Sequence, residues 1–272
     1  MGKKPLAGRV AAITGAAGAL GLAISRRLAE DGAGLVLLDL SAALLDRAAA
    51  SLSGTGADIL CIEGDLGCEN AVQTAVVRVT EKFGRCDILV NNVGILPKAV
   101  SFENFPTELW DLTLTVNLKS AFLCTRGFGS LMLAQRKGSI VSIGSSAASF
   151  PNSSAPYGVS KAALLALSRQ VAMEWGPRGV RSNAVSPGLI RTPLSEPFYA
   201  NDATRNLRET AVASRRIGTT EEIAGVVTFL AGDDSSYING QEIVVDGGLS
   251  RTALIMLQPE REAYAACRSW PD

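Results

Sequence analysis

The sequence predicts a doubly wound α/β fold: a parallel sheet of about seven strands with helices on both faces, in a single domain. Three observations carry this. Short runs rich in Val, Ile and Leu recur without polar alternation, as strands buried on both faces require. Longer segments with helical spacing separate them, and such alternation implies right-handed crossovers between parallel strands. Across its 272 residues the chain has no internal repeat and no low-complexity linker that would mark a domain boundary.

The elements follow in order. Strand runs occupy residues 10–14, 35–39, 58–62, 88–91, 139–143, 181–185 and 242–245. Helical spacing fills 20–31, 42–52, 69–83, 108–136, 156–175 and 220–232. Ser41 offers an N-cap to the second helix. The 108–136 stretch exceeds an average helix and is expected to break near Asn117. Two segments stand outside the alternation. Residues 192–215 read as polar, mixed and irregular, and residues 250–272 form a tail carrying Leu254, Ile255, Met256, Leu257, Tyr264 and Trp270.

Composition narrows the chemistry. The chain is 47% hydrophobic and 19% charged, with mean hydropathy +0.21. Lys+Arg and Asp+Glu are 26 each, so the basic excess of a nucleic-acid binder is missing. The composition also argues against a disordered, solvating chain. There is no histidine. This excludes a Ser-His-Asp hydrolase, a His-ligated metal site and a haem with a proximal His. Acid–base work must then fall to Asp, Glu, Lys, Tyr, Cys or a cofactor.

The five cysteines (Cys61, Cys68, Cys86, Cys124, Cys267) contain no C-x-x-C and fit a reducing compartment better than a disulfide framework or thiolate metal site. Lys3, Lys4 and Arg9 precede an uncharged stretch, 10–25, that superficially resembles a signal peptide. Gly15, Gly18 and Gly21 make strand, turn and helix the better reading. Leu6 stands where a myristoylation signal wants Ser or Thr. No uncharged segment is long and apolar enough to span a bilayer. The expectation is a cytoplasmic protein with no membrane or nucleic-acid partner and no metal.

The first strand runs into Thr14-Gly15-Ala16-Ala17-Gly18-Ala19-Leu20-Gly21 and then a helix. Glycines there permit a tight turn, and the helix N-terminus offers free N–H groups to a diphosphate. The run departs from G-x-G-x-x-G, so alone it is equally an ordinary glycine-rich turn. Asp39 ends the second strand, 18 residues beyond Gly21. A carboxylate there accepts from adenosine ribose hydroxyls and repels the 2′-phosphate of NADP. No Arg or Lys stands in the glycine loop or just after Asp39, which favours NAD; the alternative use of Asp39 is a helix cap.

Tyr157 and Lys161 stand at i, i+4 and share a helix face. A phenol with its reference pKa of ~10 is a poor base near neutrality, and a nearby ammonium favours the phenolate. A lone Y-x-x-x-K is otherwise an exposed pair sharing a face by chance. Upstream, a strand ends in Gly144-Ser145-Ser146. Ligands of such folds sit beyond the carboxyl ends of strands, so either serine can reach a substrate oxygen or simply serve a turn. Asn91-Asn92-Val93-Gly94 ends the fourth strand in the same way.

Together these residues resemble the short-chain dehydrogenase/reductase family, in its classical subgroup, over about residues 6–249 and in the family's order. The resemblance implies a Rossmann-like, NAD-binding catalytic domain over 1–249, with a substrate loop at about 192–215 and a C-terminal tail at 250–272. It implies Tyr157 as general acid/base and Lys161 as the residue that binds the nicotinamide ribose and depresses the tyrosine. Ser145 would hold the reacting oxygen, with Ser146 open as an alternative. Asn117 would anchor a water linking Lys161 to solvent. Gly15, Ala17, Gly18, Leu20 and Gly21 would hold the cofactor's diphosphate side, Asp39 its ribose, and Asp65 and Leu66 its adenine. Asn91, Val93 and Gly94 would lie on the adenosine side, and Pro187, Gly188, Ile190 and Thr192 at the carboxamide.

The chain departs from the family at Ala19, at Val93, in a Ser145–Tyr157 interval of 12 that is one residue short, and in its long tail. Ile95, Leu96, Phe150, Leu189, Leu194, Phe198 and Tyr199 sit on loops expected around the site. They either line an apolar pocket for a cyclic, aromatic or alkyl secondary alcohol or ketone, or seal the loops onto the core. Arg191, Arg205 and Arg208 either pair an acidic substrate group or remain solvated. The resemblance implies a homotetramer, the usual assembly of such enzymes, with the 108–136 and 156–175 helices packed between subunits. The implied activity is interconversion of a secondary alcohol and a ketone. A sugar or polyol dehydrogenase is the alternative within the family. A non-catalytic dinucleotide-binding regulator and a methyltransferase are the rivals outside it. An enoyl reductase ranks low, because such enzymes space their Tyr and Lys more widely.

Overall fold

Seven strands form one continuous parallel sheet in a computed structural model that describes residues 4–152, 154–193, 195–196 and 199–252. They are β1 (Val10–Thr14), β2 (Gly34–Asp39), β3 (Ile59–Glu63), β4 (Ile88–Asn91), β5 (Gly138–Ile143), β6 (Val180–Pro187) and β7 (Glu242–Val245). Their spatial order is β3-β2-β1-β4-β5-β6-β7, and every pairing is parallel. The helices are α1 (Ala19–Glu30), α2 (Ala42–Leu52), α3 (Glu69–Phe83), α4 (Thr107–Leu114), α5 (Ser120–Gln135), α6 (Ala155–Trp175), α7 (Asp202–Ala211) and α8 (Thr220–Ala231).

The unbroken apolar runs have the expected cause: β1 to β6 feed two cores, while the edge strand β7 feeds one. Along β2, Leu35 and Leu37 join Ile24 and Leu28 of α1, Leu45 of α2 and Val227 and Leu230 of α8 on one face. Val36 and Leu38 join Val72 and Val79 of α3 and Phe128 and Met132 of α5 on the other. With period-two side chains, both neighbours in sequence are buried, so no polar position interrupts the run. Each such side chain contributes about 1.5–3 kcal/mol by leaving water.

The sheet order reverses between β1 and β4, because β1 pairs with β2 on one side and β4 on the other. Crossovers therefore diverge there, and a crevice opens beyond the carboxyl ends of these strands.

Two local readings are revised. The 108–136 stretch does not break at Asn117. It passes through a π-helical turn, Thr115–Lys119, where the Ser120 N–H donates five residues back to the Thr115 carbonyl. Such a turn inserts one residue into a helix and bends it without ending it. Within the irregular 192–215 segment lies α7. Asn201 caps it by accepting from the Thr204 N–H, Asp202 occupies its first turn and Arg208 its last. None of its residues is buried and Leu207 is 66% exposed, so it lacks the core-facing stripe by which helices are recognised in sequence. Of the positions considered above, Leu194, Phe198, Cys267 and tail residues 253–272 lie outside the described residues.

Candidate active site

The crevice is built where β1, β4, β5 and β6 end. At the end of β1, Gly15 turns the chain with φ +63°, a left-handed conformation that suits glycine. The turn delivers α1 with Gly18 as its N-cap, with neither a side-chain cap nor an acidic residue in its first turn. The N–H groups of Ala19, Leu20 and Gly21 precede the first intrahelical acceptor, so the positive end of α1 points into the crevice. Gly21 lets helix and turn meet: a Cβ there would lie 2.2 Å from the Gly15 carbonyl oxygen. These features fit a diphosphate.

Asp39 stands beside them. Its Oδ2 accepts from the Ala17 N–H at 3.0 Å and its Oδ1 from the Leu40 N–H at 2.8 Å. Next to it Leu40 is 64% exposed and brings no positive charge. Both oxygens of the carboxylate are thus held beside the glycine turn. Asp65, on the loop after β3, accepts from the Gly67 N–H at 2.9 Å, and Leu66 beside it is buried.

At the end of β4 the four residues of the Asn-Asn-Val-Gly run do different things. Asn91 is buried, its amide N–H groups given to Thr125 Oγ1 and Ser142 Oγ at 3.0 and 3.4 Å. Its Oδ1 has no partner among the described residues. Asn92 donates to the carbonyls of Thr14 and Gly15 at 2.9 and 3.1 Å. Thr14 Oγ1 accepts from the N–H groups of Asn92 and Val93. Thr14 and Asn92 thereby staple the glycine turn to β4. Sequence reasoning did not single them out, although a Thr closing a strand before glycine and a paired Asn at the next strand end are visible signals. Gly94 leaves room above the site, since a Cβ there would lie 3.4 Å from both Asn117 Oδ1 and Lys161 Nζ.

The reactive side chains come from α6, the end of β5 and the π-turn. Tyr157 is half-buried, Lys161 is 3% exposed and Asn117 1%. One helical turn apart, the lysine Nζ lies 5.8 Å from the centroid of the tyrosine ring and donates to the Ile143 carbonyl at 2.7 Å. The Ser145 side chain is the polar neighbour that acts on the Tyr157 phenol. Ser145 Oγ also accepts from the Ala147 N–H at 3.2 Å, whereas Ser146 begins the following 3-10 turn. Ser145, not Ser146, is therefore the serine paired with Tyr157. The Asn117 amide is spent on protein: Oδ1 accepts from the Ile95 N–H at 2.8 Å, and Nδ2 donates to Ile95 O and Ser160 Oγ, both at 3.0 Å.

The electrostatics differ from the sequence expectation in one respect. Burial pushes the Tyr157 phenol above its usual value, and the hydrogen bond from Ser145 opposes it. The lysine is not among the causes that set the phenol; its Nζ lies 5.8 Å from the ring centroid. Burial brings Lys161 down to about 8. The sign for stability follows. Below about 8 the fold holds a buried ammonium, and between there and the ordinary lysine range the unfolded chain binds the extra proton, so stability rises with pH. Lys161→Met should therefore stabilise the cofactor-free protein at pH 7, by up to an amount on the order of 3 kcal/mol, and raise its melting temperature. The advantage should fade above pH ~8; melting curves at pH 7 and at alkaline pH check both parts.

The remaining residues frame the crevice. Pro187 closes β6, and the Gly188 N–H donates to Val245 O at 3.0 Å. Ile190 bridges to Gly218, with Arg191 N–H to Gly218 O and Gly218 N–H to Leu189 O both at 2.9 Å. This bridge pins both ends of the excursion that carries α7. The Thr192 N–H and hydroxyl both meet Ser195 Oγ. Leu96 is 44% exposed, and Phe150 faces a groove of about 410 Å³ shared with Gly158, Val159 and Ala162 of α6. Tyr199 is buried beneath the Arg208 guanidinium, 5.5 Å from its ring. Arg191 pairs with Glu196 at 2.7 Å and Arg205 with Asp202 at 2.8 Å. Among the described residues no cluster of His, Cys, Asp and Glu could hold a metal ion, and no helix is long and apolar enough to cross a membrane.

A family profile described as enoyl-(acyl carrier protein) reductase matches residues 15–250. The dehydrogenase/reductase SDR family member 4 of Bos taurus is 38% identical over 247 residues, 90% of this chain and 88% of that one. Among solved structures, levodione reductase is 33% identical with TM-score 0.86, covering 90% of this chain and 98% of its own. An NAD⁺-bound xylitol dehydrogenase is also 33% identical with TM-score 0.86, covering 90% of this chain and 100% of its own.

Proposed function

Since the chain belongs to the short-chain dehydrogenase/reductase family of oxidoreductases, we propose that it interconverts a secondary alcohol and a ketone with NAD as hydride carrier. The observation that carries this reading is the Ser145–Tyr157–Lys161 constellation at the mouth of the crevice, with a dinucleotide cradle beside it. A binding protein has no use for a buried lysine behind a phenol on which a serine side chain acts.

When bound, the dinucleotide supplies or receives the hydride. The chain's own residues do the rest. Gly15, Ala17, Gly18, Leu20 and Gly21 hold its diphosphate side, while Asp39 takes the ribose and selects against a 2′-phosphate. Asp65, Leu66, Asn91, Val93 and Gly94 shape the adenosine side, and Pro187, Gly188, Ile190 and Thr192 the carboxamide side. Ser145 donates to the substrate oxygen. Tyr157 takes a proton from the alcohol hydroxyl in oxidation and returns it to the carbonyl oxygen in reduction. Lys161 supplies positive charge beneath the phenol and reaches the ribose, so the phenolate is favoured once the site is filled. Asn117 holds the Gly94–Ile95 loop against this pair.

The arginines of the 192–215 excursion have partners within it, and Ile95, Leu96 and Leu189 are apolar. This supports an uncharged apolar or cyclic substrate. A polyol or sugar is the second reading, supported by the likeness to xylitol dehydrogenase. We further propose a cytoplasmic homotetramer; exposed Phe122 on α5 and Val159 and Met173 on α6 support burial of that surface between subunits.

The test is reduced-cofactor formation by purified protein over cyclic and alkyl secondary alcohols, hydroxysteroids, polyols and sugars, with NAD⁺ and NADP⁺ in parallel. An enoyl thioester is assayed in the reductive direction. The proposal expects turnover of an alcohol with NAD⁺. Turnover of the enoyl thioester alone, or cofactor binding with no turnover of any compound, would count against it.

A further inference from the structure

One polar side chain of the catalytic helix has no role in the chemistry above. Ser160, between Tyr157 and Lys161 in sequence, has no exposed surface. Its hydroxyl donates to the Tyr157 carbonyl at 2.8 Å and accepts from Asn117 Nδ2 at 3.0 Å. A hydroxyl has one proton, so once it is given to the carbonyl only acceptor capacity remains, and Asn117 uses it. The direction of the chain is fixed: Ile95, Asn117, Ser160, Tyr157 backbone.

Both ends of this chain matter. On one side Asn117 clasps Ile95 through two hydrogen bonds, which sets the loop that brings Gly94 over Lys161. On the other, the Tyr157 carbonyl belongs to the turn of α6 that carries both reactive side chains. Asn117 itself is buried and projects from the π-turn, a one-residue insertion in the helix. Ser160 is the side chain through which this amide reaches α6.

We infer that Ser160 is a positioning residue, a buried strut that fixes the rotation of α6 against the Asn117 turn and thereby the placement of Tyr157 and Lys161. This rests on the oxidoreductase reading for its kinetic consequence, but its structural core does not. A residue of the same size without the hydroxyl would leave Asn117 with a buried unpaired donor and release the helix turn. Displacements of about 1 Å at a reacting group cost up to roughly 100-fold in rate. The strut touches no reacting atom, so the loss belongs in kcat more than in KM.

The experiment compares wild type, Ser160→Ala, Ser160→Thr and Asn117→Ala, together with the Ser160→Ala/Asn117→Ala pair. The first readout needs neither substrate nor cofactor: the ultraviolet absorbance of the Tyr157 phenolate during alkaline titration, isolated by subtracting a Tyr157→Phe protein. Ser160→Ala should shift that titration, because both the burial of the phenol and its approach to Ser145 depend on the rotation of α6, and Ser160→Thr should restore it. Where turnover is measurable, Ser160→Ala should lower kcat about 10–100-fold with a smaller change in KM. The double variant should be no worse than Asn117→Ala alone, as expected of two links in one chain. An unchanged titration in folded Ser160→Ala overturns the inference, as do independent, multiplying losses in the double variant. Should Ser160→Ala not fold, Ser160→Cys keeps the volume with a weak donor, and wild-type behaviour of that variant overturns it as well. Failure of the oxidoreductase reading would show as absent turnover in wild type while the titration arm still decides.

Discussion

Tyr157→Phe should abolish most turnover while leaving the fold and dinucleotide binding in place. The substitution removes one oxygen from a half-buried ring whose hydroxyl meets Ser145, and keeps the ring that packs beside Lys161. What is lost is the proton donor and acceptor, and positioned acid–base catalysis contributes about 10²–10⁴-fold. The pH dependence has a definite sign. Alcohol oxidation needs the phenolate, which burial disfavours, so its rate should climb toward alkaline pH. Ketone reduction needs the phenol and should fall over the same range. Initial rates in both directions across pH, with reduced-cofactor binding followed by fluorescence, check each part. A variant that retains wild-type turnover would remove Tyr157 from the mechanism.

The second large effect concerns cofactor choice. Asp39 is held by the Ala17 and Leu40 N–H groups, so its charge cannot swing away from a 2′-phosphate. Two like charges about 4 Å apart near a protein surface repel by about 4 kcal/mol at an effective dielectric constant of about 20. Asp39→Asn combined with Leu40→Arg removes the repulsion and adds a guanidinium suited to phosphate. The ratio of kcat/KM for NADP⁺ over NAD⁺ should rise by roughly 10²–10³-fold, in line with an energy of that size. Asp39→Asn alone should give a smaller shift and weaken NAD⁺ binding, because a ribose acceptor is lost. A variant pair whose preference does not move would show that Asp39 serves the glycine turn rather than the cofactor.

Much of this architecture was legible because burial on two faces writes itself into sequence. β1, β4 and β7 begin and end where their apolar runs do, and α2 and α3 match their helical spacing residue for residue. The candidate site was legible for a different reason. Glycine turns, an acidic residue ending a strand and an i, i+4 Tyr–Lys pair are local arrangements, so order along the chain is enough to find them.

Other features depend on contacts between distant segments. α7 was missed because none of its residues is buried, so no core-facing stripe marks it in the sequence. The π-turn was read as a break because a one-residue insertion leaves no compositional mark. Thr14, Asn92 and Ser160 are small polar residues of kinds common in turns, and only their partners distinguish them.

The sequence by itself determined the parallel α/β class, the placement of its seven strand runs, and a chemistry without histidine. Only the tertiary structure decided that the Ser145 side chain acts on Tyr157, that burial raises the phenol, and that Asn117 donates to Ser160. The physical reason is the same in each case. Periodicity and propensity are written in neighbouring residues, whereas desolvation and hydrogen-bond partnership are properties of what the fold brings to the same place.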